Sequence, residues 1–539
     1  MNTGGNARVA TRYGPWPALV VIALGYFMNV LDSTVVNVAI PQIVTGVGAT
    51  TEQILWVVNG YLLPYAMLLL VAGRLGDIRG HRNVFAAGLL VFTAASLVCG
   101  LAQNPEQLIA ARVLQGIGAA AAAPQALAIT SAVFPPAKLG TAFGVLAAVI
   151  GSAAAAGPLL GGLISDTLGW RWIFFINIPL GLIGLVCTFV YVPATRNWAR
   201  QKLGVGPVLL ASAGLFVVLY ALIEGERFDW GTVRGWIGIP HFLVLGVLIL
   251  VGFTLWERRR ADGLLPRALF TSRNYALMVW ASAATYFGIF GSQLVMTIYL
   301  QTALGAGPLE AGLVLSPMWL ASSLTAPIGG RLSGRVRRSR LLAVGFAVFC
   351  LGVAVTAPFA DADAAWWEFV APLVLAGAGA GLTFAPLTTV AMGEVEPQAA
   401  GGASGLIEMS RMIGSAVCTA VVGAILATVW ASSLRDGAAD AGGRLSGEDR
   451  ASLVDGARQA ADSGLNSGTE AVVPSSLPSG LVRVFEDLSA QSLASAARPA
   501  LLITAAVIVL AAVTSLFLKE SGPAGAPAPK EAPVADRTA

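Results

Sequence analysis

The sequence predicts an all-α membrane protein with fourteen transmembrane helices. Of its 539 residues, 56% are hydrophobic and only 12% are charged, whereas an average soluble domain carries about 25% charged residues. The mean hydropathy of +0.75 is reached only when long segments have lipid as their solvent. Fourteen apolar runs reach the length of about 20 residues that crosses a bilayer core. This composition excludes a soluble enzyme.

The fourteen runs define the predicted spans and their orientation. They cover residues 17–40, 53–72, 83–101, 107–130, 140–164, 172–193, 203–223, 236–256, 275–300, 309–329, 341–360, 367–390, 402–430 and 498–518. The first run follows a polar lead and lacks a small-residue cleavage site, so we expect a span and not a signal peptide. With the N-terminus inside, the inner segments hold 22 of the 33 Lys and Arg residues. Basic residues stay on the cytoplasmic side, which predicts cytoplasmic termini.

An internal repeat predicts how the spans are grouped. The segment GRLGDIRGHR (Gly73 to Arg82) follows the second span, and GRLSGRVRR (Gly330 to Arg338) follows the tenth. This offset fits two parallel six-helix bundles with two additional spans between them. The predicted units are an N-terminal segment 1–16, a bundle 17–193, a linker 194–260 with extra spans 203–223 and 236–256, a bundle 261–518 that includes an outer loop 431–497, and a tail 519–539. We expect the Pro- and Ala-rich tail to be disordered, and residues 446–461 to form a short surface helix.

Five motifs in a fixed order resemble a known family. They are LDSTVVNVAIP (Leu31 to Pro41), the loop GRLGDIRGHR, RVLQGIGAA (Arg112 to Ala120), GSAAAAGPLLGG (Gly151 to Gly162) and WRWIFFINIPLG (Trp170 to Gly181). With them the chain resembles the 14-span drug:proton antiporter branch of the major facilitator superfamily over essentially its whole length. The resemblance implies the major facilitator fold and an exporter that exchanges its substrate for protons.

The loop after the second span departs from the family pattern at two positions. Ile78 stands where the family usually has a basic residue, and His81 stands where it usually has Arg. In the second copy Gly334 replaces Asp77. We therefore expect the charge latch that the family builds from this loop to be weaker in the second half. The predicted gating and latch residues here are Gly73, Asp77, Arg79 and Arg82.

Asp32 and Arg112 are the first candidates for proton coupling. An ionisable group inside an apolar run is costly and suggests a function. By helical rise, Asp32 lies about 12 Å and Arg112 about 8 Å from the outer ends of spans 1 and 4, so the two can pair. An Asp beside a fixed cation stays ionised, and it takes up a proton if a movement separates the pair. The alternative is a static ion pair that holds the two spans together. The resemblance assigns both residues to motifs tied to proton coupling.

Span 13 carries a second acidic candidate on a polar stripe. Residues Ser404, Glu408, Arg411 and Ser415 are spaced by 4, 3 and 4, which confines them to one face of a helix. Because related cation exporters use acidic residues in this span, we add Glu408 to the coupling candidates and Ser404 and Arg411 to the predicted substrate cavity. Alternatively, Arg411 only neutralises Glu408.

Span 9 supplies a mixed aromatic and polar face. Its residues Ser282, Tyr286, Phe290, Gln293 and Thr297 suit flat amphiphilic molecules, since rings stack and amides adapt to different polar groups. Helix packing explains this face nearly as well. The predicted cavity residues are Tyr286, Phe290, Gln293 and Thr297, together with Asn29 of span 1 and Gln115 of span 4.

The glycines of span 5 are the feature of the sequence that indicates the direction of transport. Gly151, Gly157, Gly161 and Gly162 allow close backbone approach, and Pro158 removes a backbone donor and bends the helix. We expect a seal or pivot between the two halves. By resemblance, this element marks exporters and is generally missing from uptake symporters.

These observations predict a secondary active transporter of the cell membrane. It exports small hydrophobic or cationic compounds by alternating access, with protons, the substrate and the lipid bilayer as partners, and with no cofactor, nucleic acid or obligate protein partner. No Lys is followed by Ser or Thr, which excludes a P-loop, and two isolated histidines with four scattered cysteines fit no metal site. The alternatives are an exporter of one metabolite or self-made antibiotic, a membrane enzyme acting on lipids, and a receptor derived from a transporter. An enzyme would need a nucleophile cluster or donor-binding domain, and a receptor would be expected to lose Asp32 and Arg112.

Overall fold

The computed structural model describes residues 13–194, 204–225, 228, 230–234, 236–259, 265, 269, 271–442, 445, 447–463, 473–474 and 477–519. Its helices are α1 (Pro15–Val47), α2 (Thr51–Arg79), α3 (His81–Leu101), α4 (Pro105–Val133), α5 (Pro136–Thr167), α6 (Trp172–Tyr191, with a turn at Ile176), α7 (Val205–Glu224), α8 (Ile239–Arg259), α9 (Arg273–Ile298), α10 (Pro308–Leu332), α11 (Arg338–Phe359), α12 (Val370–Gly393), α13 (Ala400–Gly442), α14 (Gly447–Ser463) and α15 (Val482–Ser515). Within these residues, 14 helices are long and apolar enough to cross a membrane, as the sequence predicts.

The ends of the helices are set by local capping. At the start of α2, the Thr50 hydroxyl accepts the Gln53 backbone N–H, and the Gln53 side chain accepts the Thr50 N–H, which satisfies two donors that a helix terminus leaves unpaired. Asn104 caps α4 and Ser272 caps α9 through the same kind of side-chain bond. A π-helical turn, Tyr299–Ala303, continues α9. A short antiparallel pair, β1 (Thr232–Arg234) and β2 (Ile237–Gly238), joins α7 to α8.

The helices of each predicted half pack mainly on one another. In the first half α4 packs against α2 and α3, and α1 packs against α5 and α6; in the second, α12 packs against α10 and α11, and α15 packs against α9, α11 and α13. Besides smaller contacts of α4 with α13 and of α5 with α12, the halves are joined mainly by two helix pairs, α2 with α13 and α5 with α10. We call these pairs the two seams. The extra helix α7 packs on α2 and α13, and α8 packs on α7.

Contacts between helix ends define two faces of the molecule. Trp16 at the start of α1 lies on Phe134 at the end of α4, and Asn274 at the start of α9 bonds to Lys519 beyond α15. We call this side, where α1 begins and α15 ends, the terminal face, and the other side the opposite face. On the opposite face, the Arg171 side chain donates to the Ala102 carbonyl at the end of α3.

The region between the last two spans is more helical than the sequence predicts. Within the predicted outer loop 431–497, α13 continues to Gly442 and α15 already begins at Val482. Leu434 and Ala438, one helical turn apart, are fully buried in this extension, and Gly437 faces Leu488 of α15. The predicted helix 446–461 is present as α14. The predicted segments 1–16 and 519–539 lie largely outside the described residues.

Candidate functional site

A cavity of about 420 Å³ lies between the two halves, within the size range of about 300–1,000 Å³ that is usual for small-molecule sites. Its lining comes from α1, α2, α4, α5, α7, α9, α10, α12 and α13. The aromatic residues of the lining are Tyr26, Tyr61, Tyr65, Tyr286, Phe290, Trp319 and Phe384, and its amide side chains are Asn29, Asn37, Asn59 and Gln293. Arg112 and Glu408 are the charged residues in the described lining.

Asp32 is buried beside this cavity in a network that satisfies its carboxylate. Arg112 Nη1 donates to Asp32 Oδ2 at 2.5 Å, and Gln115 Nε2 donates to Asp32 Oδ1 at 2.7 Å. Asn177 of α6 adds a third donor at 3.1 Å. All three partners are donors, so the arrangement suits the ionised carboxylate, since charge-assisted hydrogen bonds are stronger than neutral ones.

Arg112 makes several contacts in addition to its ion pair with Asp32. Its Nε donates to the Val57 carbonyl at 3.2 Å, and its Nη1 also donates to Gln115 Oε1 at 2.8 Å. The guanidinium lies over the Tyr61 ring at 4.3 Å, an arrangement that the negative face of the ring stabilises. The Tyr61 hydroxyl in turn donates to Asn29 Oδ1 at 2.8 Å. Arg112 and Tyr61 line the cavity and Asp32 does not, so Arg112 lies between the carboxylate and the cavity.

A second acidic pair lies in the other half. Glu408 Oε1 accepts a bond of 2.5 Å from Arg411 Nη1, and Arg411 Nη2 donates to Thr388 Oγ1 at 3.1 Å. The Arg411 guanidinium lies 4.3 Å from the Phe384 ring centroid and 5.4 Å from that of Tyr286. Glu408 lines the cavity, whereas Arg411 does not. Each half therefore contributes one buried acid–arginine pair packed on aromatic rings.

The structure divides the predicted cavity residues into two groups. The residues that line the cavity are Asn29, Tyr286, Phe290 and Gln293, in addition to Glu408 and Ser415. The predicted residues outside the lining are Gln115, Thr297, Ser404 and Arg411. Gln115 is instead bonded to Asp32, and the Ser404 hydroxyl donates to the Gly401 carbonyl at 2.9 Å. The stripe on α13 does not face the cavity as one unit, because its first residue lies near the terminal face, where α13 packs closely on α2.

Asp77 joins the halves at the terminal face. Its two carboxylate oxygens accept the backbone N–H groups of Gly401 and Gly402 at 2.8 and 3.0 Å, at the start of α13, where unpaired N–H groups favour an anion. Arg74 and His81 lie 3.6 Å from the same carboxylate.

Other members of the predicted latch lie elsewhere. Arg79 is exposed, and Arg82 lies over the Phe189 ring at 5.7 Å. The basic side chains beside Asp77 are instead those of Arg74 and His81. In the second copy, Gly334 has no carboxylate to match Asp77, and the weaker charge latch of that half stays a prediction.

Glycines close both seams at the terminal face. A methyl group on Gly73 would collide with the Gly401 carbonyl oxygen, and one on Gly140 would collide with the Gly330 carbonyl oxygen. Backbones this close leave no passage between the helices. By contrast, Asn37 and Thr419, which line the cavity on the side of the opposite face, are exposed. This conformation is therefore closed at the terminal face and accessible from the opposite face.

The predicted glycine element of α5 packs on two helices at once. A Cβ on Gly151 would lie 3.0 Å from the Trp319 carbonyl oxygen of α10, and one on Gly157 would collide with Thr34 of α1. Gly161 faces Val35 of α1, and Gly162 faces Leu309 of α10. Pro158 contacts Gly312 of α10. Helix α5 thus runs between α1, which carries Asp32, and α10 of the other half.

Several residues of the site were not predicted from the sequence. Asn177 lies within the motif WRWIFFINIPLG, but nothing in its spacing shows that it bonds to Asp32. Gln125, which bonds to His81 at 2.8 Å, and Thr388 carry no signal in the sequence. Among the described residues, no group of three or more His, Cys, Asp and Glu side chains is placed to hold a metal ion.

The chain matches the Major Facilitator Superfamily over residues 22–419. It belongs to that superfamily. Members of the superfamily are transporters, and the fold described above is the expected one. The relatives include the tetracenomycin C resistance and export protein of Streptomyces glaucescens, which is 32% identical over 97% of this chain and 95% of the relative. The multidrug resistance protein Stp of Mycobacterium tuberculosis is 34% identical over 77% of this chain and 76% of that protein.

A solved structure of the superfamily shares the fold at low sequence identity. The human organic anion transporter MFSD10 (TETRAN) superposes with a TM-score of 0.56, is 12% identical, and covers 93% of this chain and 99% of its own. At this identity the likeness concerns the fold alone. Together with the family match, it establishes a multi-pass membrane transporter with the major facilitator fold.

Proposed function

We propose that this protein exports small hydrophobic or cationic compounds across the cell membrane in exchange for protons, as a secondary active transporter. The observation that carries the proposal is the buried Asp32–Arg112 pair at the edge of an aromatic cavity that is closed at the terminal face. The names of the two relatives, one an export protein and one a multidrug resistance protein, agree with export of drug-like compounds.

Asp32 is the proton carrier in this proposal. Arg112, Gln115 and Asn177 donate to its carboxylate in this conformation, and in the proposed cycle Asp32 takes up a proton when Arg112 moves away. Protonation removes the charge that holds Arg112, and a reorientation that separates α1 from α4 then becomes less costly. When the pair forms again on the other side of the cycle, the proton leaves. Glu408 contributes a second carboxylate that faces the substrate.

Alternating access moves the two predicted halves, residues 17–193 and 261–518, against each other. The two seams close at the terminal face through the glycines and Asp77 in the conformation described above. Opening them and closing the opposite face exposes the same cavity to the other side, with α5 as pivot. We place the terminal face in the cytoplasm, because the exposed Arg331, Arg335 and Arg337 lie there. The conformation seen is then outward-facing.

Transport driven by a pH gradient in reconstituted vesicles tests this proposal. Purified protein should move dyes and antibiotics from a panel when a gradient is imposed, and Asp32→Asn should abolish this movement while the protein still inserts. Asp166→Asn is the matched control, because Asp166 is an exposed carboxylate that bonds to Gln42 at the opposite face. Full pH-driven transport by the Asp32→Asn variant would show that Asp32 is not the carrier.

An exporter of a single metabolite or self-made antibiotic is the second candidate. The relative that covers 97% of the chain is named for the resistance to and export of one compound, tetracenomycin C. The same panel separates the two: a multidrug exporter moves several unrelated compounds, and a dedicated one moves a single chemical family.

A further inference from the structure

The extra helix α7 lies directly across the seam between α2 and α13. Its residue Leu219 is almost fully buried and forms an apolar cluster with Leu63 and Ala66 of α2, against which Met412 and Ala416 of α13 pack. Nearer the terminal face, the Ser212 hydroxyl donates to the Met67 carbonyl of α2 at 3.1 Å. A single helix outside the predicted bundles therefore contacts both halves at once.

Helix α8 holds α7 in this position from the lipid side. A Cβ on Gly214 of α7 would lie 2.8 Å from Leu250 Cδ2, and one on Gly246 of α8 would lie 2.6 Å from Val218 Cγ2. The two helices are therefore tightly packed. Residues such as Val247 and Leu248 on α8 are exposed, as expected for a helix that faces lipid. The extensive helix contacts of α8 are with α7, and none of its described residues lines the cavity, so α8 backs α7.

The cavity extends to α7. Leu219, Leu222 and Ile223, spaced as i, i+3 and i+4, line the same cavity as Glu408 and Tyr65. Leu222 is half-buried, which leaves part of its side chain in contact with the cavity space. Near the terminal end of α7, Leu209 is 62% exposed and does not line the cavity.

We propose that α7 is a wall of the substrate cavity and that Leu222 is a specificity-determining residue, which limits the size of the compound that fits in the cavity. This inference rests on the proposed function, because it assigns a role in substrate choice. Lipid tails are as apolar as leucine. If the seam were uncovered, a hydrophobic compound would therefore have a similar free energy in the lipid and in the cavity, and it could leave through the seam. A helix that covers the seam keeps the compound in the cavity and leaves the aqueous opening as its exit.

Substitutions of Leu222 test the size limit. Transport of ethidium and of the bulkier doxorubicin, both cations with a planar ring system, is measured in vesicles with an imposed pH gradient. Leu222→Trp should lower doxorubicin transport by about tenfold or more relative to ethidium, and Leu222→Ala should raise that ratio, since one methylene group in an apolar pocket changes discrimination by about 10–200-fold. Leu209→Trp is the control and should leave the ratio unchanged. Equal effects of both Leu222 variants on the two dyes overturn the inference.

Thiol labelling tests the wall without any transport. Leu222→Cys should react with a membrane-impermeant thiol reagent added to outward-facing protein, as should Ser415→Cys of α13, which lines the same cavity, while wild type gives the background from its four native cysteines. Labelling at 415 without labelling at 222 overturns the inference, whatever the dyes show. If wild type moves no compound of the panel while both positions are labelled, the proposed export function is wrong, but the position of α7 in the cavity wall is supported.

Discussion

At the scale of single residues, the environment of Asp32 makes one direct prediction about stability. Arg112→Ala leaves a buried carboxylate with its strongest donor removed, and an uncompensated charge of this kind costs about 3–5 kcal/mol. The free energy of unfolding in detergent should fall by that order. Adding Asp32→Asn to Arg112→Ala should recover much of the loss, because the stranded charge is gone. Thermal unfolding of the four members of this cycle measures the coupling.

The cycle also separates a pair from two independent residues. If the costs of Asp32→Asn and Arg112→Ala simply add, the two side chains do not stabilise each other, and the ion pair seen at 2.5 Å contributes nothing. A double variant that costs less than the sum of the two single variants supports the carrier mechanism, since the mechanism needs Arg112 and Asp32 to stabilise each other.

Glu408 is expected to recognise charge and not shape. Glu408→Gln keeps the size of the side chain but removes the negative charge, which leaves Arg411 as an unbalanced cation beside the cavity. Cationic substrates should therefore lose about tenfold or more in apparent affinity, which corresponds to about 1.4 kcal/mol. Neutral substrates should change little. Ser415→Ala, which alters the same lining without changing its charge, is the control.

Concentration-dependent transport of one cationic and one neutral compound makes the measurement. Equal losses for both classes would place Glu408 in coupling or folding. No loss for either class would mean that its charge is fully offset by Arg411, with cations recognised by the aromatic rings of the lining.

At the scale of elements, both seams bring helix backbones into close contact at the terminal face. Gly73→Ala places a methyl group against the Gly401 carbonyl, so α2 and α13 must separate at the terminal face. The closed conformation should lose population, and export should slow because that state is an obligatory part of the cycle. Distances between spin labels across the seam should lengthen.

A glycine of another helix provides the control for this variant. Gly252 lies within α8, and a Cβ at this position would have no heavy atom of a neighbouring element within 4 Å. Gly252→Ala should therefore leave both the label distances and the export rate unchanged. Unchanged label distances in Gly73→Ala would show that the seam tolerates a side chain and that the glycine contact does not gate it.

Whole-molecule orientation can be read from two surface positions. Arg450 on α14 and Arg340 on α11 are both exposed, on the opposite and terminal faces respectively. In intact cells an impermeant maleimide should label Arg450→Cys, and it should label Arg340→Cys only after the membrane is opened. The reverse pattern would invert the topology. The native cysteines are poor competitors, since Cys99 and Cys418 are buried and Cys187 and Cys350 are half-buried.

The number and order of the spans could be predicted from the sequence because the bilayer sets a length that apolar runs must reach. The acid–arginine candidates could also be predicted from the sequence, because a charged residue inside an apolar run is costly unless it has a partner of opposite charge. Asp32 with Arg112 is therefore a pairing that the depth of each residue in its own helix already indicates. The five motifs also predicted the family, and the match to the Major Facilitator Superfamily confirms that prediction.

The rotation of each helix about its own axis was decided only by the tertiary structure. In a soluble protein the polar side of a helix marks the surface, but here lipid and protein interior are both apolar, so periodicity carries little information about direction. That is why Asn177, 145 residues from Asp32, and the wall formed by α7 gave no signal. The same physics explains the position of Arg411. Although it belongs to the predicted stripe, its side chain packs on Thr388 and Phe384 of α12 and does not line the cavity.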